Sequence, residues 1–369
     1  MNLKSLAFDT MLSMGFRIER YKNNWHFDAG SHSFHPDHKI GIDIKNFFDN
    51  IDPFYENIKD LPKELQIGAW KIQLENRRKN QVAVYKRGNS SDIAELHEKM
   101  FYNELISGLW AYFYFDKITK SGIADFSDDF KDYDRMYPEH PYLLTDNPIK
   151  CWGHRNSSVE NNKLIKNSDI AHAIEALMVT NCANLISNDS CTVLEIGSGM
   201  GGLAERLYHS KKISKLILVD IPLNLVTAYY YLKRGLGKKD NILMASTSED
   251  AIKGITSKEV EICLLPTCFF PFLSNEIEID IVCNFYSFSE MYEDTVNYYL
   301  NNLPSSIKVI CQANSNTAVL KNDNYTTEVS CDTFDYPKGF VEVFSSIQMP
   351  LKSCKSRYKT KILYKNKSN

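Results

Sequence analysis

The stretch that most constrains this chain is Val193 to Ala204, Val-Leu-Glu-Ile-Gly-Ser-Gly-Met-Gly-Gly-Leu-Ala. An apolar run closes on an acid, Glu195. A glycine-rich turn follows, and Leu203 to Leu207 continues as a helix-like segment. Lys215 to Asp220 is a second apolar run that again closes on an acid. Strand, turn, helix, strand and acid in that order form the front half of a nucleotide-binding βαβ unit. Gly197, Gly199 and Gly202 satisfy the dinucleotide spacing G-x-G-x-x-G, which alone is a weak signal. Glu195 separates the alternatives. It stands at the end of the first strand, where a dehydrogenase would hold a pyrophosphate, and a carboxylate there repels phosphate. S-adenosylmethionine has no phosphate but carries an ammonium and a sulfonium, so the same acid favours it. Asp220 suits both ligands, because an acid ending the second strand accepts hydrogen bonds from ribose hydroxyls.

The chain has 369 residues, enough for a large core and two domains. Its 43 basic and 46 acidic side chains leave a net charge of −3, which argues against a dedicated nucleic-acid surface. The first nine residues lack a long apolar region and do not read as a signal peptide. The longest apolar stretch, Leu105 to Phe115, is too short to span a bilayer. The nine cysteines show no C-x-x-C and lie mostly inside apolar runs, as expected of reduced thiols in the cytoplasm.

Along the chain, residues 20–60 are polar and aromatic without a clear period. Ser91 and Asp92 are placed to cap a helix from Ile93 to about Phe115. Asp134 to Pro148, with three prolines, reads as an extended linker. The expected division is a mainly helical N-terminal domain, 1–145, for acceptor binding or oligomerisation, and a catalytic domain, 146–369. In the latter, Asp169 to Leu185 is an amphipathic helix. Strands are expected at 192–196, 215–219, 261–265, 280–285 and 307–311, and helices at 202–209, 222–234 and 290–302. This alternation implies an α/β fold with a mostly parallel sheet. Two late strands, 339–347 and 358–365, would add an antiparallel pair at its end. In the second of these, Lys359, Lys361 and Lys365 alternate with Thr360, Ile362 and Tyr364, as on a half-exposed edge.

Ile279 to Met291, Ile-Asp-Ile-Val-Cys-Asn-Phe-Tyr-Ser-Phe-Ser-Glu-Met, reads as a central strand running into a polar, aromatic loop and then a helix. Ligands of open α/β sheets sit beyond the carboxyl ends of the strands. Asn284, Tyr286, Ser287 and Glu290 are therefore expected to face the transferred methyl or its acceptor, although Glu290 also suits a helix N-terminus. A sugar hydroxyl is a weak nucleophile and wants a general base. No histidine follows His209, so a base on this loop is a carboxylate, a tyrosine or a lysine, with Glu290 as the candidate. A histidine base would be His154, in Trp152-Gly153-His154-Arg155. A divalent metal is not expected. If one assisted, Asp280, Glu290 and Asn284 would be its oxygen ligands. The histidines at 32, 35 and 38 lack metal-ligand spacing, and Arg77 to Lys79 read as a solvated helix face.

In these residues the chain resembles a family of bacterial sugar O-methyltransferases within the S-adenosylmethionine-dependent, Rossmann-like superfamily. The likeness lies in Glu195 to Ala204, Val219-Asp220-Ile221-Pro222, Tyr229-Tyr230-Tyr231-Leu232 and, most of all, Asn284 to Met291. It spans about 150–310. Ser198 stands where a further glycine would be expected. The resemblance implies a Rossmann-like class I methyltransferase sheet and transfer of a methyl group to a hydroxyl of a sugar or nucleotide sugar. It assigns the cofactor to Glu195, Gly197, Ser198, Gly199, Gly201, Asp220, Ile221 and Asn284. Acceptor contacts are expected at Tyr286, Ser287 and Arg155; the family has no assigned base, so Glu290 or His154 in that role is inferred from the residues alone. The competing readings are a methyltransferase for another small molecule or for nucleic acid, an NAD-dependent oxidoreductase, and a non-catalytic cofactor-binding scaffold. Amino methyltransferases for bases carry Pro-Pro after the Asn, whereas here Phe285-Tyr286 follows Asn284. Self-association is left open.

Overall fold

The structure is a computed structural model that describes residues 17–21, 24–28, 35–56, 79–100, 127–140, 143–149, 157–160, 163–187, 189–210, 212–237, 241–273, 277–316, 319–321, 326–346 and 358–366. Two compact units divide the chain, Met1–Lys45 with Asn80–Ala173, and Asn46–Lys79 with Ile174–Asn369. Among the described residues no helix is long and apolar enough to cross a membrane.

The first unit combines short helices with two antiparallel hairpins. These are β1 (Arg17–Tyr21) with β2 (Asn24–Asp28), and β3 (Ser157–Glu160) with β4 (Lys163–Lys166). Helix α1 (His38–Glu56) begins in this unit, and α2 (Lys79–Arg87), α3 (Ser90–Glu98) and α4 (Ser127–Met136) follow. The cap of α3 is Asn89, two and three residues before the expected Ser91 and Asp92. Its Oδ1 accepts the amides of Ser91 and Asp92 at 2.9 and 3.0 Å, and Asp92 Oδ2 accepts the Asn89 amide. The continuation of that helix toward Phe115 falls outside the described residues. His97 is fully buried, and burial lowers its pKa to about 4. Its Nδ1 donates to Ile93 O at 3.0 Å, which leaves Nε2 to accept from Tyr85 Oη at 3.2 Å. The expected linker is not a simple extended segment. It is helical to Met136, and Leu143, Leu144, Asn147 and Ile149 are buried.

The second unit is built on an eight-stranded sheet. Its strands are β5 (Cys191–Ile196), β6 (Ile213–Asp220), β7 (Ile242–Met244), β8 (Ile262–Pro266), β9 (Ile281–Phe285), β10 (Val309–Ser315), β13 (Phe340–Ser346) and β14 (Tyr358–Lys365). A small separate hairpin pairs β11 (Val319–Lys321) with β12 (Thr326–Glu328). The spatial order is β13-β14-β10-β9-β5-β6-β8-β7. Every pair from β7 to β10 is parallel, and β14 runs antiparallel between β10 and β13. Strands β8, β9 and β10 are buried along their whole length, as expected of parallel strands covered on both faces. The fold is thus Rossmann-like α/β with an antiparallel end. Helices α5 (Asn167–Ile186), α6 (Gly202–Tyr208), α7 (Pro222–Gly235), α8 (Ser248–Thr256) and α9 (Glu293–Asn301) complete it. The three tyrosines of α7 are all buried, and Tyr231 Oη donates to Glu205 Oε2 at 2.7 Å.

Several expectations are corrected. β14 is an interior strand and β13 forms the edge. Lys361 is buried because Asp332 Oδ1 and Cys331 O receive its ammonium at 2.8 and 3.1 Å. β10 runs on to Ser315, past the apolar run that ends at Cys311. Strand β7 and helix α8 were not expected. The helix expected from residue 290 starts at Glu293, after a separate 3₁₀ turn, Ser287–Glu290. Asp280 and Asn284 cannot share a metal. Asp280 sits at the amino end of β9, where its carboxylate accepts from Thr192 N at 2.9 Å and Lys308 Nζ at 2.6 Å. Asn284 lies four residues along the strand, roughly 13 Å away at the usual rise.

Candidate functional site

The chain leaves β5 in one direction, to β6, and returns later to place β9 on the other flank of β5. This is the topological switch point, where the carboxyl ends of β5 and β9 open a crevice. The turn after β5 requires three residues with positive φ, Gly197 (78°), Gly199 (56°) and Gly201 (81°). Only glycine adopts this region without strain. Gly201 also caps α6, and a Cβ there would press on Leu232 of α7 at 3.2 Å.

Gly197 has a second constraint. A Cβ on it would overlap the Oγ and Cβ of Ser287. Ser287 Oγ donates to Ile196 O at 3.2 Å and accepts from Asn284 Nδ2 at 2.5 Å. Asn284 Nδ2 also donates to Ile196 O at 2.7 Å. Its Oδ1 accepts from Phe288 N at 3.1 Å and from Asn314 Nδ2 at 2.9 Å. Two donors and two acceptors are all an asparagine amide has, so Asn284 is satisfied wholly within the protein. Tyr286 is the one described non-glycine residue with positive φ, 73°. Its ring is buried edge-to-face against Tyr358 at 5.1 Å. Asn284 and Ser287 therefore clamp the glycine turn and Tyr286 packs on Tyr358, where sequence reasoning had all three facing the methyl or its acceptor. The physical reason is the turn at Tyr286, which folds the loop back over the end of β5.

Sequence reasoning missed the remainder of this clamp. Asn314 Oδ1 accepts from the Ser289 amide at 3.1 Å, and Asn314 Nδ2 also donates to Gln312 Oε1 at 2.5 Å. Gln312 Nε2 reaches Tyr336 Oη at 3.1 Å. Gln312 and Asn314 are both fully buried. Two amides at alternate positions of a strand that is otherwise apolar were the available signal.

The acids of the site differ in environment. Asp220 Oδ2 accepts from Gly199 N at 2.7 Å. Its Oδ1 accepts from Ile221 N at 2.7 Å and Asn224 Nδ2 at 2.9 Å, so it pins the glycine turn to α7. Ile221, buried, is the residue preceding α7. Glu195 is buried, its Oε2 has no hydrogen-bond partner, and neither has Ser198 Oγ. Burial first, then the charges of Glu175 and Asp220, hold the Glu195 carboxyl well above the usual carboxylate range. Glu175, from α5, was not foreseen. It is fully buried, and no donor reaches either oxygen in ordinary hydrogen-bonding geometry. Burial pushes its pKa up to about 8, opposed by the nearby Tyr286 hydroxyl and Arg206 guanidinium. Glu290 ends the 3₁₀ turn and is half-buried. His154 and Arg155 lie outside the described residues. Among the described residues no group of three metal-binding side chains occurs.

No family model and no curated protein matches the chain. Among solved structures, it is similar to TrmK of M. capricolum in complex with S-adenosyl-homocysteine, at 18% identity over 52% of this chain and 68% of that one, with a TM-score of 0.32. Against the mitomycin 7-O-methyltransferase MmcR the figures are 12%, 54%, 57% and 0.32. Against the small RNA methyltransferase HEN1 they are 12%, 56%, 26% and 0.36.

Proposed function

We propose that this chain is an S-adenosylmethionine-dependent O-methyltransferase whose acceptor is a hydroxyl of a sugar or nucleotide sugar. One observation carries the reading. A buried carboxyl with one orphaned oxygen, Glu195 Oε2, lies at the root of a positive-φ glycine turn, beside a second strand that ends in Asp220. A phosphate-bearing ligand would meet repulsion there, and a cationic amino-acid end meets attraction. The orphaned Glu195 Oε2 and Ser198 Oγ fit the polar groups of that cofactor.

In this reading Glu195 receives the ammonium, and Ser198 Oγ supplies a hydrogen bond to the amino-acid end. Gly197, Gly199 and Gly201 let the backbone approach closely. In this reading Asp220, which accepts from Gly199 N, Ile221 N and Asn224 Nδ2, also receives a ribose hydroxyl, as an acid ending the second strand does in such units. Ile221 lines the adjoining wall. Asn284 acts by holding Ile196 and Ser287, and so the turn, in place. The cofactor supplies the methyl group as an electrophile on sulfonium. A sugar hydroxyl must lose its proton as it attacks. Glu290, which ends the 3₁₀ turn after β9, is our choice of proton acceptor, with His154 the second candidate and Arg155 an acceptor contact. The sugar acceptor rests on the sequence resemblance through Asn284 to Met291. The division into an acceptor-binding domain, 1–145, and a catalytic domain, 146–369, belongs to the same proposal, as does a cytoplasmic location.

Calorimetric titration with S-adenosylhomocysteine and, separately, NAD⁺ tests the cofactor. Micromolar binding of the first alone is expected. Binding of NAD⁺ alone overturns the argument from Glu195. Methyl transfer from labelled cofactor to nucleotide sugars, with RNA as the rival acceptor, then tests the substrate. Transfer to RNA alone would refute the sugar assignment.

A further inference from the structure

A partly open cavity of about 280 Å³ lies at the amino ends of the strands, opposite the glycine turn. Tyr208, His209, Ile213, Lys215, Leu216 and Glu261 are among the residues that line it. Tyr208 and His209 close α6, Ile213 and Lys215 open β6, and Glu261 immediately precedes β8. Lys215 precedes Asp220 on the same strand by about 17 Å at the usual rise, so this cavity is separate from the acids of the glycine turn. Lys215 and Glu261 each stand one position before Leu216 and Ile262, which pair across parallel strands. Matching positions of adjacent parallel strands share a face. A lysine and a glutamate so placed are set to form an ion pair, yet among the described residues no such pair forms. Lys215 Nζ instead donates to Ser257 O at 2.7 Å, its one hydrogen bond among those residues. Glu261 Oε2 accepts from Tyr208 Oη at 2.7 Å and from Asn241 Nδ2, and its Oε1 takes part in neither bond. The Lys215 ammonium is half-buried, and burial lowers its pKa. A carboxylate brought beside it would restore the charged form.

We propose that this cavity is a binding site for a free α-amino acid with an uncharged side chain. Lys215 receives its carboxylate, Glu261 Oε1 receives its ammonium, and the side chain lies along Ile213, Leu216 and the Tyr208 ring. The ammonium and carboxylate of the site line one space, and each is held by neutral partners rather than by the other. A zwitterion satisfies both at no change of net charge. A simple anion would meet Glu261 as well as Lys215, and a simple cation would meet Lys215 as well as Glu261. Apart from these two charges the lining named above is apolar or aromatic, with the Tyr208 and His209 rings edge to face at 5.9 Å. It offers no further carboxylate or ammonium to pair a charged side chain. The volume stands at the small end of ligand pockets and suits a molecule of this size rather than a nucleotide. The inference stands apart from the cofactor reading and does not need it.

The experiment is saturation-transfer NMR of the full chain with each common L-amino acid of uncharged side chain in turn, followed by calorimetry on those that bind. At least one is expected to bind with a Kd of about 1 mM or tighter. The amine that lacks its carboxylate and the acid that lacks its ammonium should each bind the wild type about tenfold more weakly, the loss of one charge-assisted hydrogen bond. Lys215→Met and Glu261→Gln should each weaken the amino acid by about the same factor. Far-UV circular dichroism shows that both variants are folded, and if either is not, the analogue comparison on the wild type decides. Absence of binding by every amino acid up to about 10 mM overturns the proposal. Equal binding of the amine or of the acid overturns it too, since the site would then read only one charge. Undiminished affinity in both folded variants places the ligand elsewhere and overturns it as well.

Discussion

Gly197→Ala tests the clamp at the switch point quantitatively. Two effects add. The backbone at this position has φ of 78°, and an L-residue there costs about 1–2 kcal/mol. The new methyl also overlaps Ser287, whose hydroxyl donates to Ile196 O and accepts from Asn284 Nδ2. Moving Ser287 away breaks both bonds, at about 1 kcal/mol each. The single substitution should therefore destabilise the sheet unit by about 3–4 kcal/mol. Ser287→Gly alone removes the same two bonds and should cost about 1–2 kcal/mol, since Asn284 Nδ2 retains Ile196 O. In the double variant the overlap is gone, and only the backbone cost adds to the loss of the serine. The expected total is about 3 kcal/mol, giving a coupling of about 1–2 kcal/mol in the rescuing direction. Urea unfolding of the four proteins measures this, with the S-adenosylhomocysteine dissociation constant as a second readout. Strict additivity would refute the idea that Gly197 and Ser287 are two halves of one contact.

Two further predictions concern pH. Glu175 titrates near 8 in the folded chain against about 4.5 unfolded, so between those values the native state holds a proton that the unfolded state has lost. Stability from this group is present at low pH and falls as pH rises from about 4.5 through 8, by at most about 1.4 kcal/mol per unit. Glu175→Gln should flatten the decline in urea midpoint between pH 5 and 8, and an unchanged slope would show that the group is ordinary. His97 shifts the other way, to about 4 from 6.5. The unfolded chain takes up its proton first, so stability is full above 6.5 and is lost as pH falls toward 4, by at most about 3 kcal/mol. His97→Gln should remove that acid limb. A limb of undiminished steepness would mean that other groups produce it.

What the sequence made legible, and what it hid, follows from how local each constraint is. The strand ends at Ile196 and Asp220 and the turn at Gly197 to Gly201 were readable because glycine alone tolerates positive φ and because buried parallel strands are continuous apolar runs. The placement of β8 between β6 and β7 was not readable, since chain order does not dictate spatial order. The last residues of β10 were missed because Gln312 and Asn314 interrupt the apolar pattern. They are admitted only by partners from other segments, Ser289, Asn284 and Tyr336. Glu175 looked like any acid on a helix, and its burial depends on what packs around it.

The most instructive case is the stretch from Asn284 to Glu290, which the sequence marked as facing the ligand and in which Asn284 and Ser287 instead bond to the protein around Ile196. A polar residue after a central strand has two uses, to meet a ligand or to hold the backbone that meets it. Composition cannot choose between them. Hydrogen-bond capacity can. Asn284 has four positions and the protein occupies all four, whereas Glu195 and Ser198 retain orphaned buried atoms. Unsatisfied burial is costly unless something else completes it. The residues that await a ligand are therefore those the fold leaves incomplete. Among the residues of the glycine turn, that criterion favours Glu195 and Ser198 as the proposed cofactor contacts, while Asn284, Ser287 and Asn314 form the frame that holds the turn.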